Sequence, residues 1–90
     1  MTPFIVVTSD KLIVDAIRSV YSEEHFKYAQ NVWLVVDNGV TARDVYRKLI
    51  ASLPQGEEKD VTVLLCSVAG YFGRARKDLW EWLAAKGSAV

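Results

Sequence analysis

A chain of 90 residues makes one domain, near the lower size at which a single apolar core supports itself. Eleven basic and eleven acidic residues cancel, which excludes a global positive field, so any nucleic-acid contact has to come from a local patch. One cysteine excludes an internal disulfide, while a 51% hydrophobic composition with three Trp, four Tyr and three Phe supplies more apolar surface than one thin core hides.

In chain order, Phe4 to Thr8 is a nearly continuous β-branched run, the pattern of a strand covered on both faces. Ser9 or Asp10 then offers a helix N-cap. Leu12, Ile13, Ala16, Ile17 and Val20 share one helical face, with the helix ending near Tyr21 or Ser22. His25 to Gln30 alternates as a short strand, the chain reverses near Gln30, and Val32 to Val36 forms a central strand that ends at the turn Asp37-Asn38-Gly39. Thr41-Ala-Arg-Asp44 has the capping-box form, and Val45, Tyr46, Leu49, Ile50 and Leu53 follow as one apolar stripe. Pro54 to Asp60 is a polar loop and Val61 to Val68 a buried strand, which makes Cys66 a buried, reduced thiol. Leu79, Trp82 and Leu83 give the inner face of a last helix, with Trp80 at its edge.

The order β-α-β-β-α-β plus a helix is the α+β, ferredoxin-like βαββαβ arrangement over residues 1–90, one antiparallel sheet with helices on one face. Such a sheet should show polar residues at alternate strand positions on its open face. Instead Trp33 and Val35 oppose Val32, Leu34 and Val36, and Val63 and Leu65 oppose Leu64 and Cys66, so both faces are apolar. A bare face of that kind predicts a homodimer packed sheet against sheet through Trp33, Val35, Val63 and Leu65, with cover by the C-terminal helix as the competing explanation. No run is long enough to cross a membrane, and the N-terminus lacks the order of a signal peptide, so a cytoplasmic protein is expected.

The segment from Asn31 to Ala85, with its VWLV strand, capped helix after a Thr, polar loop, LLC strand and closing WL helix, resembles the small ferredoxin-like proteins of the SinR family. These are distinct from the helix-turn-helix repressor of that name and are related to the small CRISPR-associated spacer-integration endonuclease. The resemblance implies a dimer of facing sheets that either cleaves phosphodiesters with a metal held at the end of the first strand or serves as a non-catalytic scaffold on DNA. The matching position is Asp10, where Thr8-Ser9-Asp10-Lys11 stands in place of the family's aromatic-Asp-hydrophobic run.

Each candidate site has a plain counterpart. Asp10 from two subunits could hold Mg2+ or Mn2+ through oxygen ligands, or it could simply cap the first helix. Glu23, Glu24 and His25 are consecutive and lack a ligand spacing. Gly70-Tyr-Phe-Gly73 fails the tests for a phosphate loop and for an RNA clamp, and reads as a turn. Arg74, Arg76 and Lys77 stand at a helix start, where cations are misplaced unless an anion joins them. Arg43, Arg47 and Lys48 make a second basic stripe that could follow a nucleic-acid backbone.

Three readings result. The first is a homodimeric binding or scaffold protein on DNA or RNA that requires no cofactor. The second is a metal-dependent nuclease using Asp10. The third is a protein-interaction module of a toxin-antitoxin or phage-defence system.

Overall fold

The structure is a computed structural model and describes residues 2–39, 41–56, 60–68 and 77–86. Its elements are β1 (Thr2–Val7), α1 (Lys11–Val20), β2 (His25–Ala29), β3 (Val32–Asp37), α2 (Ala42–Ala51), β4 (Leu64–Ser67) and α3 (Lys77–Ala85). The strands form one antiparallel sheet in the order β2-β3-β1-β4, the ferredoxin-like order.

Local chemistry sets the element boundaries. Asp10 caps α1, its Oδ1 accepting from the Leu12 N–H at 3.0 Å. Thr41 and Asp44 complete a reciprocal capping box on α2, in which each side chain accepts from the other's backbone N–H and satisfies donors the helix leaves free. Between β2 and β3, Asn31 adopts φ 64°, a left-handed conformation that asparagine tolerates better than most residues. β4 is shorter than the apolar run predicts because its partner β1 stops at Val7, opposite Leu64. Beyond that point the Thr62 carbonyl accepts from the Thr8 hydroxyl at 2.7 Å instead of from a strand.

Register decides which residues share a face. Phe4 pairs with Val35 and Val6 with Trp33. These four pack with Ile13 and Ile17 of α1 and with Val45 and Leu49 of α2 in the main core. On the other side of the sheet, Ile5 pairs with Leu34, and Leu34 is buried with Leu79 and Leu83 of α3 while Phe26, Tyr28, Trp80 and Trp82 pack around them. α1 and α2 thus cover one face and α3 lies on the other. The α3 end is fastened by the Phe26 and Trp82 rings, 5.6 Å apart. Lys86 adds a bond to the Glu23 carbonyl at 2.9 Å and an ion pair with Glu24 at 3.1 Å.

Two expectations change. Trp33 and Val35, expected at a contact between two copies, are 3% and 0% exposed beneath α1 and α2, and Val63 and Leu65 pack against the same core from the sheet edge. Period-two alternation identifies the two sides of a strand without saying which side the crossover helices take. Cys66, expected buried, is exposed. It lies on the α3 side of the edge strand β4, and α3 reaches over β2 and β3 without covering β4, which also leaves Leu64 60% exposed and Val7 38% exposed.

Candidate functional site

The carboxylate of Asp10 is engaged in the α1 cap. Among the described residues there is no group of three or more His, Cys, Asp or Glu side chains placed to hold a metal ion. One copy of the chain supplies one Asp10 carboxylate, and the expected Mg2+ or Mn2+ site would take the second from a partner subunit, with water or phosphate oxygens completing the shell. His25 belongs to no such metal-holding group, and its Nδ1 hydrogen-bonds the Tyr21 carbonyl. A carbonyl only accepts, so Nδ1 carries the proton.

The stripe Arg43, Arg47 and Lys48 divides. Lys48 turns to one flank of α2, where Nζ lies 2.6 Å from Oδ1 of Asp37, a residue only 6% exposed. The other Asp37 oxygen accepts from the Gly39 N–H at 3.2 Å. Gly39 sits tightly in this corner, since a Cβ there would stand 2.7 Å from the Asp44 Cβ and 2.8 Å from Asp37 Oδ2. Lys48 therefore compensates a buried carboxylate and has little charge left for a partner.

Arg43 and Arg47 stay exposed on the other flank, where Tyr46 joins them. Tyr46, expected in the apolar stripe, is 42% exposed. At 100° per residue it falls between the buried line of Val45 and Leu49 and the side that carries Arg43, so it belongs to the border of the stripe. Arg43, Tyr46 and Arg47 stand at i, i+3 and i+4, the spacing that puts side chains on one helical surface. Beside them an open groove of about 280 Å³ runs between α2 and β4, lined among the described residues by Ala42, Arg43, Tyr46, Val63 and Leu65. The i, i+3, i+4 spacing of two arginines around a tyrosine was the signal in the sequence that marks this surface.

The remaining basic residues are distributed elsewhere. Lys77 is exposed and lies 3.6 Å from Glu81 one turn along α3, which offsets its position at the helix start. Arg74, Arg76 and the Gly70 to Gly73 loop lie outside the described residues. On the β2 side, the Arg18 guanidinium and the Lys27 ammonium stand 5.6 Å and 5.5 Å from the centre of the Trp33 ring, a cation–π arrangement that fixes both against the core.

Two arginines, an exposed phenol ring and an apolar groove floor can bind a flat, anionic polymer: the ring offers a stacking surface and the guanidiniums pair with phosphate. Among the described residues no group of three or more His, Cys, Asp or Glu side chains that could hold a metal ion stands beside this surface. No helix among the described residues is long and apolar enough to cross a membrane. No family model matches the chain, and no curated protein or solved structure matches it.

Proposed function

We propose that the protein is a small, non-catalytic, nucleic-acid-associated binding module that holds a single strand along the α2–β4 groove. The observation that carries this reading is the exposed Arg43, Tyr46 and Arg47 surface beside an apolar groove. A base stacked on Tyr46 would place its flanking phosphates within reach of the two guanidiniums, a geometry that tolerates sequence because every base has a π-face. The resemblance to the SinR-like relatives of the CRISPR-associated endonuclease supports association with nucleic acid, and the use of Asp10 as the α1 cap favours the scaffold role over the nuclease role. A homodimer belongs to the same proposal, with its contact moved from Trp33 and Val35 to the open strip of Val7 and Leu64.

The test is fluorescence anisotropy with labelled single-stranded DNA and RNA oligonucleotides over a salt series. Binding should weaken as salt rises, because counterions are released on binding. Arg43→Ala with Arg47→Ala should flatten the salt slope by about 1.4, at roughly 0.7 for each phosphate no longer neutralised. Tyr46→Ala should weaken binding by about 1–3 kcal/mol, the range for removing a base–aromatic stack, while the chain stays folded with a modestly lower melting temperature. Absence of saturable binding at low salt sinks the reading and leaves the protein-interaction module.

A further inference from the structure

A second candidate site lies between α3 and the sheet. The cavity there, of about 210 Å³, is lined among the described residues by Ile5 and Leu34 of the sheet, Leu79 and Leu83 of α3, the rings of Tyr28 and Trp80, Val32 at the start of β3 and Val68 just past β4. Leu34, Leu79 and Leu83 are buried at 8%, 7% and 3% exposure. The walls that these described residues turn to the void are hydrocarbon and aromatic.

The void is partly open to the surface; its described walls offer a water few of the two to four polar partners it needs, and an enclosed cavity of ~150 Å³ lined by similar side chains takes up benzene. Among the described lining residues the one ionisable group is the Tyr28 phenol, so these residues give a charged guest no opposite charge in place of its hydration. The volume limits the guest to one ring or two fused rings. α3 is fastened near its C-terminal end by Trp82 and Lys86, so a guest in the void would support the middle of the helix.

We infer that this cavity is a binding site for a compact, uncharged aromatic molecule, held between α3 and the sheet. The site lies on the opposite side of the sheet from the α2–β4 groove and uses none of Arg43, Tyr46 or Arg47, so either can fail without the other.

The experiment is a titration of the whole chain, carrying 13C-labelled methyl groups, with indole and separately with toluene, and with benzoate as the charged control. Saturable shifts concentrated on the methyls of Ile5, Leu34, Leu79 and Leu83 are expected, with slower amide exchange along α3. At ten times Kd the melting temperature should rise by about 8 °C, from mass action in a domain of this size. Val32→Phe, which fills the void, should weaken indole binding at least tenfold. Where that variant does not fold, the map of shifts on the unaltered protein decides by itself. No saturable shift up to the solubility of both probes, shifts scattered away from α3, or benzoate binding as tightly as toluene would each overturn the assignment.

Discussion

Tyr21 shows most directly what burial does to a single group. Its side chain is 4% exposed and its hydroxyl has no hydrogen-bond partner. Burial first, and the Asp37 carboxylate second, push the phenol up to about 12. An unfolded phenol ionises near ~10, so below that pH both states are neutral and the folded chain keeps its full stability. As pH rises from there through 12, the unfolded chain releases its proton earlier and gains relative to the folded one. The loss by pH 12 amounts to about 2–3 kcal/mol. Tyr21→Phe should remove most of this alkaline loss in urea melts at pH 7, 10 and 11.5, and should change stability little at pH 7 because it deletes an unpaired hydroxyl. A variant that loses stability in parallel with the parent chain would contradict the account. Asp10 gives a second residue-scale prediction: Asp10→Ala should cost ~1 kcal/mol and Asp10→Asn much less, as expected for a cap, which asparagine also makes. Asparagine is the poorer ligand for a hard cation, so a metal site would suffer from both changes, read as a loss of divalent-cation stabilisation in the same melts.

Among the elements, α3 is the most lightly attached. α1 and α2 bury Ile13, Ile17, Val45 and Leu49 completely, whereas α3 buries Leu79 and Leu83 and relies on the half-buried Trp82 against Phe26. Elements that bury less apolar surface open locally before the whole domain unfolds. Trp82→Ala should therefore speed amide exchange along α3 while β1 and β3 keep their protection, the lost packing of about 2 kcal/mol, less than for a fully buried tryptophan, falling on the local opening of α3. Equal acceleration in all elements would show that α3 belongs to one cooperative unit with the sheet. The helix caps and the amphipathic faces of α1 and α2 were legible in the sequence because each depends on residues a few positions apart. The end of β4 was not, because it is set by where β1 stops.

For the whole molecule, the question is what covers the second apolar face. α3 covers its β2–β3 half and leaves Val7 and Leu64 open near the β4 edge. An exposed edge strand carrying apolar side chains is a ready surface for a second chain. The proposed homodimer then depends on Leu64: Leu64→Glu should convert a dimer into a monomer in light scattering at micromolar concentration, with an unchanged circular dichroism spectrum. A monomeric parent chain at that concentration would remove the homodimer from the proposal. Tyr46 is the counterpart for the candidate binding surface. Its position in an apolar stripe made it look like core, and only the packing of Val45 and Leu49 onto the sheet turned its ring outward beside Arg43.

The sequence by itself determined the order of elements, the two capping motifs and the apolar character of both sheet faces, because these follow from neighbouring residues and from the periods of helix and strand. The tertiary structure alone decided which face took the crossover helices, that α3 covered part of the other, that Lys48 was spent on Asp37 while Arg43 and Arg47 were not, and that a cavity remained beneath α3. Each of these depends on residues far apart in the chain competing for the same space, and no local pattern records the outcome of that competition.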